Sequence, residues 1–285
     1  MVTPFDESGA VDLDMAVQVA TFLAACGNEG LVVAGSTGEG SSLRDGEKLD
    51  LFRAIASAVT IPVLAGTGSP DTAAAVELTR AASSTGVAGI LATTPAYARP
   101  NQRGIEAHLG AMASATDLPV MLYDIPSRTG RKIAAATTVA LFESYRNVVA
   151  MKDASGDLAC AQVYKEALGD RCDLYSGDDA LTLPFLGIGA VGVVSVAGHW
   201  AAPEFVALIE AHAAGDTPRA LELAALLAPS CAFEGSEAYP NPQPSKAALR
   251  YMGLPVGHCR LPLGESDAVL DAAAASVVSV ILESR

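Results

Sequence analysis

Residues 119–153 read PVMLYDIPSRTGRKIAAATTVALFESYRNVVAMKD, with two short apolar runs at 119–124 and 147–153 on either side of a loop and an Ala/Leu-rich segment. The apolar runs are continuous rather than alternating, which is typical of parallel strands that are covered on both faces. The segment between them, at 133–144, has helical spacing. This order predicts two parallel strands joined by a crossover helix.

The same alternation extends along the chain in both directions. Further apolar runs lie at 30–35, 61–66, 87–94, 172–176 and 190–196. Helical segments lie at 12–25, 45–58, 71–84, 102–115, 157–168 and 179–187. With a stub at 1–4 counted as the eighth strand, we predict an α/β fold that closes into a (β/α)8 TIM barrel. An open doubly wound sheet is the alternative, but it usually carries a G-x-G-x-x-G turn after its first strand, and this motif is absent.

The pattern changes after residue 196, where only helical segments follow. They lie at 203–214, 218–233, 245–252 and 266–283, and a proline-dense link, YPNPQP, interrupts them at 239–244. We therefore predict a small C-terminal helical subdomain. The predicted division places the barrel at 1–215 and the C-terminal helical region at 216–285.

The composition excludes several classes of function. Hydrophobic residues make up 51% of the chain, which excludes intrinsic disorder, and the net charge of −14 argues against nucleic acid and anionic membrane surfaces as partners. The apolar runs are too short to span a membrane. The 5 cysteines have no C-x-x-C spacing and no secretory leader opens the chain, so we expect free thiols in a cytoplasmic protein. The 4 histidines are scattered, so no metal site is predicted.

Lys152 is the candidate nucleophile, because the chemistry of a barrel lies at the carboxyl ends of its strands. Of the 5 lysines it is the one that ends an apolar strand-like run. Burial favours the neutral amine of a lysine, which can condense with a ketone or an aldehyde to form a Schiff base. The alternative is a lysine that pairs with Asp153 or Asp178 and has only a structural role.

Other polar residues follow neighbouring strands. Ser36 and Thr37 lie in a glycine-flanked turn whose N–H and hydroxyl groups suit a carboxylate or a phosphate, although ordinary capping also explains them. Tyr123 is either a proton relay or a core tyrosine with a satisfied hydroxyl group. Arg128 suits bidentate binding of a carboxylate, but a lone arginine is also typical of a plain surface charge.

Four motifs together resemble those of a known family. They are GSTGE at 35–39, YDIPSRTG at 123–130, MKDASGD at 151–157 and GVVSV at 192–196. Their order and spacing are similar to those of the pyruvate-dependent class I aldolases, the family of dihydrodipicolinate synthase and N-acetylneuraminate lyase. The resemblance covers nearly the whole chain, and Arg128 and the NPQPSK segment at 241–246 resemble the synthase branch.

The resemblance implies a role for each matching residue. It implies that Lys152 forms a Schiff base with pyruvate. The implied catalytic hydroxyl groups, which relay protons, are those of Tyr123, Thr37 and Tyr97, the last donated across a dimer interface. The residues expected to bind substrate are Ser36, Thr37, Arg128, Gly177 and Val194.

The resemblance also implies a reaction and its participants. Pyruvate and aspartate semialdehyde are the expected small-molecule substrates, and 4-hydroxy-tetrahydrodipicolinate, on the route to diaminopimelate and lysine, is the expected product. No metal and no organic cofactor is expected, because the lysine imine does the chemistry. The chain is expected to form a homodimer or a homotetramer.

Several positions depart from the family pattern. Ser36 replaces a threonine, Asp124 replaces an asparagine, and Ala96 stands where many relatives have an aromatic residue at the dimer interface. The positions that correspond to the family's lysine-feedback site read Asp45, Lys48, Pro70, Ala74 and Ala96, so we expect no strong inhibition by lysine. Relatives usually have several residues before V-T-P, so the first strand is expected to be truncated.

Two other functions stay open at this level. One is a pyruvate-dependent lyase that acts on a sialic acid or a 2-keto-3-deoxy sugar acid, and Arg128 argues against it. The other is a catalytically silent barrel that binds a metabolite and forms no imine at Lys152. A metal-dependent class II aldolase is disfavoured because the histidines do not cluster.

Overall fold

The computed structural model describes all residues from Met1 to Arg285. The strands are β1 (Leu31–Val33), β2 (Val63–Gly66), β3 (Gly89–Thr93), β4 (Val120–Asp124), β5 (Val148–Asp153), β6 (Asp173–Ser176) and β7 (Gly192–Val193). The helices up to β7 are α1 (Leu13–Ala25), α2 (Asp45–Ala58), α3 (Thr72–Ala82), α4 (Gln102–Ala113), α5 (Pro126–Thr129), α6 (Ala135–Ser144), α7 (Leu158–Leu168) and α8 (Thr182–Gly187). The helices after β7 are α9 (Ala202–Ala213), α10 (Thr217–Phe233), α11 (Gln243–Tyr251) and α12 (Ala268–Glu283).

The strands form one 7-stranded sheet in the order β1 to β7. The registered pairs from β2 to β7 are all parallel, as the predicted crossover helices require. Each strand lies within one of the apolar runs of the sequence, so the prediction of an α/β fold is confirmed. The pairing of β4 with β5 places Tyr123 opposite Lys152 and Asp124 opposite Asp153.

The stub at 1–4 does not form the predicted eighth strand. Its first two backbone donors bond to two different segments of the chain rather than to successive residues of one strand. The Met1 amino group donates to the carbonyl oxygen of Val32 at 2.6 Å, and the Val2 N–H donates to Nε2 of His199 at 3.0 Å. The prediction of eight strands is therefore corrected to seven.

Capping side chains in the sequence determine where many of the helices begin. The capping residues accept hydrogen bonds from N–H groups of the first turn; they are Asp12, Asp71, Asn101, Asp157, Asp216 and Asp267. Each such cap stabilises its helix by about 1 kcal/mol. None of the helices has both the length and the apolar composition that a membrane span needs.

Two compact units are distinguished by their internal contacts. One is Leu64–Val194, which contains most of the sheet and the helices from α3 to α8. The other consists of Met1–Val63 and Ser195–Arg285, and it contains the four helices predicted after residue 196. The predicted boundary after residue 215 is a different division, which these units do not test, and it stays a prediction.

Candidate active site

Two strand ends bring an amine and a phenol together. Lys152 on β5 and Tyr123 on β4 lie opposite each other in the parallel register. The Nζ of Lys152 is 4.2 Å from the centroid of the Tyr123 ring. Tyr123 is buried, whereas Lys152 is half-buried. The structure therefore places the amine of Lys152 next to the ring of Tyr123, and an amine and a phenol are the two groups from which Schiff-base chemistry could be built.

The carboxylates that could have neutralised Lys152 have other partners. Asp153 accepts hydrogen bonds from the Ser155 N–H and from the hydroxyl group of Tyr164, both at 2.7 Å. The side chain of Asp178 caps the short 3-10 turn that follows it, at 3.0 Å. These contacts favour a nucleophilic role for the lysine over a purely structural one.

Gly177 leaves room for the side chain of Lys152. The Gly177 N–H donates to the carbonyl oxygen of Asp153 at 2.7 Å, which fixes the loop beside β5. A Cβ atom at position 177 would lie 3.0 Å from both Cγ and Cε of Lys152 and 2.9 Å from Cβ of Ala154. The structure therefore places this predicted site residue directly against the stem of the amine.

Asp124 is a buried carboxyl group next to this pair. Its Oδ1 accepts from the Ile133 N–H at 3.2 Å, whereas its Oδ2 is buried without a partner. Burial, together with repulsion from Asp153 on the neighbouring strand, raises the pKa of Asp124 to about 7. A group that titrates near neutral pH therefore adjoins the strand positions of Tyr123 and Lys152.

Arg128 and Tyr97 are exposed residues of the same unit, the first on a short helix and the second in the loop after β3. Arg128 belongs to the short helix α5, and Arg99 ties its loop down by donating from Nε to the carbonyl oxygen of Gly130 at 2.9 Å. Tyr97 and Arg99 have φ angles of 68° and 48°, in the left-handed region that residues with a Cβ rarely adopt. Tyr97 is 94% exposed, so its side chain faces solvent rather than the core of its own chain.

The predicted residues divide between the two compact units. Those in Leu64–Val194 are Tyr97, Tyr123, Arg128, Lys152, Gly177 and Val194. Val194 continues the strand ladder beyond β7, since its N–H donates to the carbonyl oxygen of Ser176 at 2.8 Å. Ser36 and Thr37 lie in the other unit.

Ser36 and Thr37 occupy a tight turn at 35–39, directly after β1. Gly38 is required there, because a Cβ atom on it would lie 2.9 Å from the backbone nitrogen of Ala34. Ala34 has a φ of 56°, which is also in the left-handed region. Both hydroxyl residues are half-buried, so the turn holds them between core and solvent.

The 241–246 segment contacts this turn through residues to which the sequence assigned no role. Nδ2 of Asn241 donates to Oγ1 of Thr37 at 2.9 Å. Nζ of Lys246 forms an ion pair with Oε1 of Glu39 at 2.8 Å, and both side chains are only 1% exposed. The signal in the sequence was the NPQPSK motif itself, which does not reveal a partner 204 positions away.

No group of 3 or more His, Cys, Asp or Glu side chains lies close enough together to hold a metal ion. Within the unit Leu64–Val194, the strand ends carry the amine of Lys152, the phenol of Tyr123 and the carboxyl groups of Asp124 and Asp153, and α5 carries the guanidinium group of Arg128. These groups suit the capture of a carbonyl compound that carries a carboxylate.

Comparison with known proteins identifies the family. A sequence model of the Dihydrodipicolinate synthetase family matches residues 1–280. The chain belongs to this family. It is 48% identical over 266 residues to 4-hydroxy-tetrahydrodipicolinate synthase 2 of Halalkalibacterium halodurans, a match that covers 92% of this chain and 90% of that protein. It is 46% identical to the 4-hydroxy-tetrahydrodipicolinate synthase of Moorella thermoacetica, with the same 92% and 90% coverage.

Solved structures agree with this assignment. The dihydrodipicolinate synthase of Bacillus anthracis matches with a TM-score of 0.94 and 40% identity, over 98% of this chain and 95% of that one. The enzyme from Cyanidioschyzon merolae, solved with lysine bound, matches with a TM-score of 0.95 and 40% identity, over 99% and 96% of the two chains. The predicted family, its enzymatic nature and the TIM-barrel class are thereby confirmed.

Proposed function

We propose that the chain condenses pyruvate with aspartate 4-semialdehyde to give 4-hydroxy-tetrahydrodipicolinate, in the biosynthesis of diaminopimelate and lysine. The observation that carries the proposal is the position of the Lys152 amine, 4.2 Å from the ring centroid of Tyr123 at paired strand ends. Membership of the family, and relatives at 46% and 48% identity that bear the name of this synthase, support the choice of reaction.

The proposed chemistry begins at Nζ of Lys152. The amine attacks the C2 carbonyl of pyruvate, water leaves, and a protonated imine forms. Loss of a proton from the methyl carbon gives an enamine, whose carbon then attacks the aldehyde of the second substrate. The amino group of that substrate displaces Lys152 by transimination, which closes the ring and returns the free lysine. The imine serves as the electron sink, so we propose that no metal and no organic cofactor takes part.

Hydroxyl groups and a guanidinium group complete the proposed site. Tyr123, Thr37 and Tyr97 relay protons between the substrates and solvent. Ser36 and Thr37 hold the pyruvate carboxylate with N–H groups of the turn at 35–39, and Arg128 binds the carboxylate of the semialdehyde. Gly177 and Val194 line the site, the former by leaving the space that Lys152 occupies.

We further propose a homodimer or a homotetramer that works in the cytoplasm. The support for an oligomer is the 94% exposure of Tyr97, since a relay residue that faces away from its own core needs a neighbouring subunit to act on. The proposed substrates and product are small soluble metabolites. The net charge of −14 disfavours binding to nucleic acid or to an anionic membrane surface.

Reductive trapping tests the proposal directly. The protein is incubated with pyruvate and borohydride, and the modified residue is located by intact-mass spectrometry and peptide mapping. We expect one pyruvate adduct per chain, on Lys152, and none in Lys152→Arg. Lys165→Arg is the matched control, because Lys165 donates to two backbone carbonyl groups and should leave trapping intact. A folded wild-type protein that gives no adduct would reject the enzyme and favour a barrel that only binds a metabolite.

Replacement of Arg128 distinguishes between aspartate semialdehyde and a sugar acid as the substrate. In Arg128→Ala we expect the KM for aspartate semialdehyde to rise at least about 10-fold, because a charge-assisted hydrogen bond to a carboxylate contributes about 1.5–3 kcal/mol. Trapping of pyruvate on Lys152 should be unchanged. Arg103→Ala, which changes an exposed arginine on α4, is the control. Cleavage of a sialic acid or a keto-deoxy sugar acid that proceeds without Arg128 would instead support the lyase reaction.

A further inference from the structure

The segment at 241–246 has a feature that the proposed reaction leaves unexplained. It meets the turn at 35–39 at both of its ends. Asn241, at the start of the segment, contacts Thr37, and Lys246, at its end, contacts Glu39. These polar contacts join a helix start near the end of the chain to one of the proposed catalytic hydroxyl groups.

The contact between Asn241 and Thr37 fixes a direction of hydrogen bonding. The amide nitrogen of an asparagine can only donate, so Oγ1 of Thr37 is the acceptor at 2.9 Å. A threonine hydroxyl group carries one hydrogen, which is then directed away from Asn241 and towards another acceptor. With Asn241 in place, Thr37 is therefore a donor on its remaining side.

The position of Asn241 is fixed by the ion pair at the other end of the segment. Lys246 and Glu39 are buried and 2.8 Å apart. Nζ of Lys246 also donates to the carbonyl oxygen of His258 at 2.8 Å, and Glu39 accepts from the Arg260 N–H at 2.9 Å. Burial lowers the pKa of Lys246, but the carboxylate of Glu39 opposes this shift. A buried pair with these additional hydrogen bonds holds the segment against the turn before any substrate binds.

We propose that Asn241 is a positioning residue that orients the hydroxyl group of Thr37 as a proton donor to the relay. The inference rests on the proposed function, in which Thr37 belongs to that relay. Asn241 acts through Thr37, to whose hydroxyl oxygen its side chain donates. Its replacement by an acceptor reverses the hydrogen bond and withdraws the Thr37 proton from the relay.

Asn241→Asp tests this inference, because aspartate has the same shape but presents only acceptors when ionised. We expect kcat to fall at least about 10-fold, which is less than the rate enhancement that a positioned acid–base group usually contributes. The KM for pyruvate should change less than kcat. Asn241→Ala removes the donor without offering a new acceptor, so its loss of kcat should be smaller. Asn101→Asp is the matched control, since an aspartate there still caps α4 and adds the same charge.

A double-mutant cycle with Thr37→Val separates positioning from a general structural effect. If Asn241 acts through the Thr37 hydroxyl group, Asn241→Asp should lower kcat no further in the Thr37→Val background. If Asn241→Asp does not fold, by circular dichroism and thermal unfolding, Asn241→Ala is carried through the same cycle. Equal fold-losses of kcat in both backgrounds, or wild-type kcat in folded Asn241→Asp, would overturn the inference. Failure of the wild type to trap pyruvate would reject the proposed function instead, so the two failures are distinguishable.

Discussion

Asp124 should make the stability of the protein depend on pH. Its pKa is raised from 3.8 to about 7, so between these values the folded state binds more protons than the unfolded state, and stability falls as the pH rises through that window. The loss is at most about 4 kcal/mol at 1.4 kcal/mol per unit of pKa. Asp124→Asn cannot ionise, so the variant should be increasingly more stable than the wild type from pH 4 to pH 7. Urea unfolding at fixed protein concentration across this range measures the difference.

The control for this experiment is Asp117→Asn, which changes an exposed aspartate of the same unit. Its free energy of unfolding should follow that of the wild type at each pH. The prediction fails if Asp124→Asn and the wild type keep a constant difference in stability from pH 4 to pH 8. That result would mean that the partnerless Oδ2 of Asp124 is solvated in solution.

Single residues were predictable from the sequence where their type and their position at a strand end were sufficient. Lys152 and Tyr123 were named in this way, and the register of β4 and β5 pairs them. The sequence did not predict the contacts of Glu39, Lys246 and Asn241, because each depends on a partner about 200 positions away. A buried charge cannot be recognised from the sequence until its partner is known.

The elements were predictable because continuous apolar runs and capping residues are local signals. The ends of the elements were less predictable. The apolar run at 190–196, for example, forms a strand only at Gly192–Val193. Beyond it the hydroxyl group of Ser195 accepts from the Gly198 N–H at 2.7 Å, which starts a 3-10 turn in place of further ladder. The stub at 1–4 does not form a strand, because its first two donors bond to different segments, at Val32 and at His199.

The loop after β6 should tolerate no side chain at Gly177. In Gly177→Ala the new Cβ would lie 2.9 Å from Cβ of Ala154 and 3.0 Å from Cγ and Cε of Lys152, so the loop and the lysine side chain must shift to make room. Overpacking of this kind costs about 1–3 kcal/mol. We expect the rate of pyruvate trapping at Lys152 to fall at least about 10-fold while the protein stays folded, because a displaced nucleophile loses its alignment with the carbonyl carbon. The rate is measured by stopping the trapping reaction at a series of times and quantifying the adduct by mass spectrometry.

Gly187→Ala is the matched control for Gly177→Ala. A Cβ at Gly187, the last residue of α8, meets nothing within 4 Å, so trapping should proceed at the wild-type rate. Wild-type trapping by Gly177→Ala would show that the loop moves aside and that Gly177 does not define the position of Lys152.

At the scale of the whole molecule, Tyr97 should act in a neighbouring subunit. Tyr97→Phe and Lys152→Arg should each be nearly inactive, but co-expression should restore about a quarter of the wild-type rate, because half of randomly assorted dimers then contain one intact site. The assay is the condensation rate of the mixed protein, with light scattering to establish the oligomer. A fully active monomer, or no recovery in mixtures shown to contain hybrid dimers, would contradict a role across the interface.

The whole molecule should also lack feedback by lysine, although the Cyanidioschyzon merolae relative has been solved with lysine bound. On α2, Lys48 forms an ion pair with Asp45 at 3.1 Å, and both are among the positions that the family resemblance matches to a lysine-feedback site. The carboxylate of Asp45 is thus already paired with a cation, which leaves it less able to attract the ammonium group of an incoming lysine. Millimolar lysine should therefore leave the initial rate unchanged at saturating pyruvate. The enzyme from Cyanidioschyzon merolae, assayed in parallel for lysine binding, serves as the positive control, and strong inhibition of this chain would show that Lys48 does not exclude the ligand.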